Sequence, residues 1–218
     1  MDNSWPVRAD LPYARCVRWD RFFDDLEDQL ASEWEAERAA LDTEAERLRL
    51  SRVLLSERLT LLAGRDGAAL ATASFDLVDG TALRATVTGV GADWVALAPA
   101  DGPAGAVVAP FTAILGVGMP HADLLRTART APPRSPLTER LTFGFVLRDL
   151  VRRRAGVAVH LVNGRMLTGT IDRAGADHLD LALHDPGAPR RADAVTGYRM
   201  VPFAAVAWLR ADEAPSLP

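Results

Sequence analysis

Four histidines, one cysteine and a surplus of arginine are the side chains of this 218-residue chain with the most chemistry to offer. His121, His160, His178 and His184 are scattered along the sequence. Alternation would turn His160 and His184 outward from one sheet, but two imidazoles without a third ligand make poor zinc chemistry, so surface histidines are the expectation. Cys16 has no histidine near it in sequence and reads as a small apolar residue rather than a nucleophile. Gly-x-Ser-x-Gly, Gly-x-x-x-x-Gly-Lys and His-Glu-x-x-His, the spacings of a nucleophile elbow, a phosphate cradle and a zinc-protease helix, do not occur. The chain therefore reads as non-enzymatic, with no catalytic residue, cofactor, metal or small-molecule substrate evident.

The arginines offer different chemistry. All 25 basic residues are arginine. Arg148, Arg152, Arg153 and Arg154, joined by Arg190, Arg191 and Arg199, would form a modest patch able to neutralise phosphates, with steeply salt-dependent binding. The competing reading is ordinary: arginines favour a helix C-terminus and are otherwise solvated. Charge is uneven, with 9 Arg against 14 acids in residues 1–64, 4 against 6 in 65–130, and 12 against 9 in 131–218. Only residues 131–218 are basic, within a net charge of −4.

The elements that must carry these residues follow from composition and periodicity. With 49% hydrophobic and 25% charged residues, the chain is expected to fold into one or two packed domains without disulfides. The N-terminal residues lack a secretory pattern, and Gly102–Ala122, the longest uncharged stretch, is broken by three prolines and reads as strands rather than a span. A cytoplasmic protein is expected. From Trp19 to about Leu48 apolar residues recur at three- and four-residue steps, predicting an acidic amphipathic helix. Its stripe of Phe22, Phe23, Leu26, Leu30 and Trp34 buries too much apolar area to stay exposed, and is expected to seek a groove on the same chain or a protein interface. A second helical stretch runs from Glu46 to about Ala63 and ends at Gly64 and Gly67. The period then falls towards two, and five strands fit before Met119. Residues 126–136 read as a proline-rich linker. A helix capped by Thr138 or Ser135 runs from Leu137 to Gly156, and five more β runs follow before a frayed tail.

The halves are copies. Leu77–Leu97 laid over Leu161–Leu181 at an offset of 84 matches 9 of 21 positions, and Pro110-Phe-Thr-Ala-Ile resumes as Pro202-Phe-Ala-Ala-Val at an offset of 92. The 8 extra residues of the second copy fall within Asp185–Tyr198. Alternation assigns Val157, Val159, Leu161, Leu167, Gly169, Ile171, Leu179, Leu181 and Leu183 to the core. It turns His160, Thr168, Thr170, Asp172, Asp180 and His184 outward.

The run Val157–Leu183 resembles the first sequence motif of Sm-like proteins, in which a helix precedes five strongly bent strands, and the match extends to both halves. Pro202-Phe-Ala-Ala-Val and Pro110-Phe-Thr-Ala-Ile resemble the turn before the last strand of SH3-like barrels. The layout, acidic helix included, also resembles a group of uncharacterised actinobacterial proteins. The resemblance implies a mainly β, α+β fold of two tandem helix-plus-five-stranded barrels. Its segments would be an amphipathic helix at 1–45, barrels at 46–125 and 137–211, a linker at 126–136 and a tail at 212–218. It also implies a site: Sm-like proteins that bind RNA offer an aromatic residue for stacking, an Asn for base contacts and a last-loop Arg. Here Trp94 and His178 take the aromatic place, Ala96 and Asp180 take that of the Asn, and the Arg-Gly pair is missing.

Two functions are in view. One is a binding or assembly module with a protein partner or self-association. The other is an RNA- or DNA-binding protein using the Arg-rich face of the second barrel with His178 or Trp94 as a stacking platform. Asp93, Asp177 and Asp180 would repel phosphate there, and the low net charge and missing base-contact residues favour the first.

Overall fold

In the computed structural model, the residues described are 13–63, 72–102, 105–133, 135–188 and 190–212, with side chains from residue 22 onward. Gly64, Gly67 and the tail beyond 212 lie outside them, as does the side chain of Cys16. The chain divides into two compact units, residues 1–52 and 53–218.

The first unit is helix α1, Tyr13–Leu50, extending beyond the predicted helix at both ends. All its described side chains are exposed, the Phe22, Phe23, Leu26, Leu30 and Trp34 stripe included. The helix stops without glycine or proline, and the Ser51 hydroxyl donates to the Leu48 carbonyl at 2.8 Å just past its end. The expected stretch from Glu46 is thus split. Its first residues finish α1, and α2 begins afresh at Leu55–Leu62, where the Glu57 carboxylate accepts from the Leu54 N–H at 2.9 Å.

The second unit is α+β with strands prominent. Among its described residues the first half holds α2 and strands β1 Thr72–Leu77, β2 Ala82–Val90, β3 Trp94–Pro99, β4 Ala106–Pro110 and β5 Ile114–Gly118. Helix α3, His121–Thr127, follows. The second half holds α4 Phe143–Arg153 and strands β6 Gly156–Leu161, β7 Met166–Ala174, β8 His178–Leu183, β9 Gly197–Pro202 and β10 Val206–Ala211. These ten strands form one antiparallel sheet in the order β5-β1-β2-β3-β4-β10-β6-β7-β8-β9.

The duplication reappears as register. Thr72 faces Thr86 where Gly156 faces Thr170, Trp94 faces Pro110 where His178 faces Pro202, and Leu77 faces Ile114 where Leu161 faces Val206. The bulge between Val87 and Gly89 recurs between Ile171 and Arg173. Each half has its own apolar core: Leu59, Phe75, Val87 and Leu97 in the first, Phe143, Leu147, Val159 and Leu181 in the second. Of the residues assigned inward by alternation, Val157, Val159, Leu161, Leu167, Ile171, Leu179, Leu181 and Leu183 line the second core, since a period of two puts them on one face of their strands.

Three local expectations change. His121–Thr127 is helical, although these residues adjoin the strand-like stretch and extend into the expected linker. Arg58 holds this helix by donating to the Leu124 carbonyl and the Thr127 hydroxyl at 2.9 and 3.1 Å, a tertiary tie that periodicity does not carry. Helix α4 starts at Phe143, not Leu137, and neither Thr138 nor Ser135 caps it. Thr170 and His184, expected outward, are buried. The inserted loop after β8 covers them: the Asp185 carbonyl accepts from His184 Nδ1 at 3.0 Å, and Arg190 reaches back to Asp172 through two bonds of 2.6 Å.

Candidate interaction edges and the joint between the halves

Strand β4 of the first half pairs with β10 of the second, Leu209 facing Val108, Arg210 facing Val107 and Ala211 facing Ala106. This joint is more than a backbone ladder, because each half sends a tryptophan into the core of the other. Trp94, at the start of β3, lies among the apolar side chains of the second half with Leu141, Phe143 and Leu209. Its indole N–H donates to the Leu141 carbonyl at 2.8 Å. Gly91 makes room, since a Cβ there would clash with the Trp94 indole at its nitrogen. The neighbouring Asp93 accepts from the Phe143 N–H at 2.7 Å, so the first half supplies the N-cap of α4 across a gap of 50 residues in sequence.

Trp208 of β10 makes the reverse crossing. It packs in the first core with Ala207, and its indole N–H donates to Asp79 at 2.9 Å. Asp79 is held by its own turn, accepting from the Thr81 N–H and hydroxyl at 3.1 and 3.0 Å. His160 stacks on the indole with ring centroids 3.5 Å apart and planes 10° from parallel. Burial pushes the His160 imidazole below its ordinary pKa, outweighing the favourable charge of Asp79, and Arg210 pushes the same way as burial.

The stacking-platform expectation is thereby corrected for Trp94: at 1% exposure, with its N–H bonded to a carbonyl, it has no face to offer a base. His178, its counterpart in the second half, is partly exposed, and its Nδ1 lies 2.9 Å from the Asp177 carboxylate. That hydrogen bond holds Asp177 below the usual carboxylate range.

The arginines do not present a uniform basic face. Arg152 and Arg153 at the end of α4 both reach Asp149, at 2.9 and 3.0 Å. Arg190 is paired with Asp172. Arg148 donates to the Gly175 carbonyl at 3.3 Å, close to His178. Arg154, at a left-handed C-cap with φ of 52°, and Arg191 are exposed. A hollow of about 290 Å³ beside them is lined by Arg154, Thr168, His184, Arg190, Arg210 and Asp212. Both ring nitrogens of His184 are engaged there, Nδ1 with the Asp185 carbonyl and Nε2 with the Thr170 hydroxyl at 2.9 Å. Among the described residues no three His, Cys, Asp or Glu side chains converge to hold a metal ion, and no helix is long and apolar enough to cross a membrane.

The sheet ends at β5 and β9. Leu115 on β5 and Tyr198 and Met200 on β9 are exposed at 69%, 60% and 71%. Beside β5 an apolar hollow of about 240 Å³ is lined by Leu55, Leu59, Leu62, Ile114, Val117 and Leu124. Unpaired strand edges carrying exposed apolar side chains are a ready template for another chain. Sequence reasoning did not single out these edge residues; the match of Ala109-Pro-Phe to Val201-Pro-Phe was the available signal, because it places Met200 in the position of the buried Val108.

No family model, curated protein or solved structure matches the chain.

Proposed function

We propose that this protein is a non-enzymatic interaction and assembly module made of two SH3-like, Sm-type small barrels, which takes up another polypeptide by strand addition at its outer sheet edges. The observation that carries this reading is the joint itself. The fold already uses strand addition, with tryptophan knobs and a borrowed helix cap, to bind one half to the other, and it leaves a second edge of each kind at the ends of the sheet. Main-chain bonds supply affinity in such binding, and alternate side chains supply selectivity. The exposed Met200 and Tyr198 are the side chains a partner strand would meet on β9.

The nucleic-acid reading loses its aromatic in the first half and has three of its arginines committed to aspartates. Two measurements decide between them. Random nonapeptides displayed on phage and selected on the chain are expected to lose binding to the Met200→Arg variant; selection of none, or indifference to that variant, overturns the proposal. Fluorescence anisotropy with labelled single-stranded RNA and DNA at two salt concentrations is expected to show no tight binding. Sub-micromolar affinity that collapses with salt and with Arg152→Ala/Arg153→Ala/Arg154→Ala would establish the other function instead.

A further inference from the structure

We infer that α1 is a self-association element: two copies of this chain pair antiparallel through its apolar stripe, about the point between Glu35 and Ala36. At about 1.5 Å per residue, the 38 residues of α1 make a rod of about 57 Å, and all its described side chains are exposed. The stripe is ordered in two ways. Positions 23, 34 and 45, positions 26, 37 and 48, and positions 30 and 41 repeat every 11 residues, about 3.67 per turn and close to the period of a straight helix. All but Glu37 among these eight positions are apolar, so the stripe keeps to one face of α1 with little supercoiling.

The spacing also indicates what covers it. Read in either direction, the steps between the eight positions are 3, 4, 4, 3, 4, 4 and 3. A surface with that symmetry is complementary to itself when a second copy is turned end for end, as the shared patch of a two-fold dimer must be. The pairing sets Phe23 opposite Leu48, Leu26 opposite Ala45 and Leu30 opposite Leu41. It lays Trp34 along the aliphatic stem of Glu37, whose carboxylate reaches water. Leu26, Leu30, Trp34, Leu41 and Leu48, all exposed in the single chain, are covered in the pair. Charge sets the direction. Residues 22–35 hold 6 acids and no arginine, for −6, whereas residues 36–49 hold 4 acids and 3 arginines, for −1. Parallel chains would lay −6 against −6 and set Glu37 beside Glu37, while antiparallel chains lay −6 against −1 at both ends. Pairing through α1 is independent of strand addition at the sheet edges, and it carries the second unit twice in one molecule, so contacts made there gain by avidity.

Light scattering on the full chain reads the mass. The wild type and the Met200→Arg variant are expected at twice the mass of one chain, since the outer strands take no part. Leu30→Glu/Leu41→Glu, on the stripe, is expected to be monomeric. Ser32→Glu/Thr43→Glu, which adds the same charge on the opposite face of α1, is expected to remain dimeric. Unchanged thermal unfolding of the second unit verifies that each variant is folded. Orientation is read by disulfide trapping in a Cys16→Ser background, with Leu26→Cys and Ala45→Cys chains mixed in equal amounts. Intact mass after oxidation is expected to show the mixed pair, because the two copies of residue 26 lie about 28 Å apart along an antiparallel pair. A monomeric wild-type or Met200→Arg chain, a dimeric stripe variant, a monomeric opposite-face variant, or disulfides joining like chains overturns the inference. Failure of the peptide selection with the dimer intact removes strand addition alone.

Discussion

The two halves place equivalent backbones in equivalent registers and yet fill several equivalent positions with very different side chains. Position by position, the first half carries Trp94 where the second carries His178, and the second carries Trp208 where the first carries Gly116. Both tryptophans lie at the middle of the sheet, each crossing into the opposite core, and their smaller or more polar counterparts lie towards its ends. What separates the halves is therefore their surroundings rather than their fold. A position covered by the other half can bury a large aromatic whose N–H finds a fixed acceptor, whereas its counterpart towards an end of the sheet has no second half to cover it.

That contrast can be broken first at Trp94. Trp94→Ala removes a side chain from the second core and leaves a cavity, with an expected loss of about 3–5 kcal/mol by urea denaturation; His178→Ala should leave the stability of the separated chain nearly unchanged. Equal costs at the two sites would mean that the joint is not what distinguishes them. Gly91→Ala comes next. Its Cβ would press into the Trp94 indole and approach the Leu141 carbonyl at 2.6 Å, and overpacking of this kind costs about 1–3 kcal/mol. Gly175→Ala is milder, because the partly exposed His178 ring can swing aside.

A comparable or smaller effect is expected at Asp79. Asp79→Ala strands the buried indole N–H of Trp208, at a cost of about 1–3 kcal/mol. In a double-mutant cycle with Trp208→Phe the two losses should be clearly less than additive, and additivity would show that the bond does not link the halves. The smallest effect concerns pH. His160 is held below its ordinary pKa by burial, so the unfolded chain binds the proton first as pH falls. Stability is full above the ordinary histidine pKa of about 6.5 and declines below it, down through the lower folded value. His160→Phe should flatten that part of the stability profile, and an NMR titration of the His160 ring should place its midpoint below that of a free histidine.

Much of the fold was legible in the sequence because it depends on local order. An offset of 84 reveals two copies, period-two alternation assigns the core face of β6 to β8, and the length difference locates the insertion after β8. The same reasoning left Trp94 open between a stacking platform and a cover for a barrel end, since alternation reports which side of a strand a residue occupies but not what covers that side. It missed α3, whose seven residues are too few to show a helical period and which is held by Arg58 of another helix. It sought the cap of α4 nearby, where Thr138 and Ser135 stand, although Asp93 provides it.

By itself the sequence determined the strand and helix periods, the duplication and the acidic character of α1, all properties of residues close together along the chain. Only the tertiary structure decided that the halves share one sheet, that their tryptophans exchange cores, and that β5 and β9 remain as edges. A strand's hydrogen-bonding edge has the same backbone groups whatever its side chains, so which edge meets which is settled by how whole halves pack, not by any local pattern.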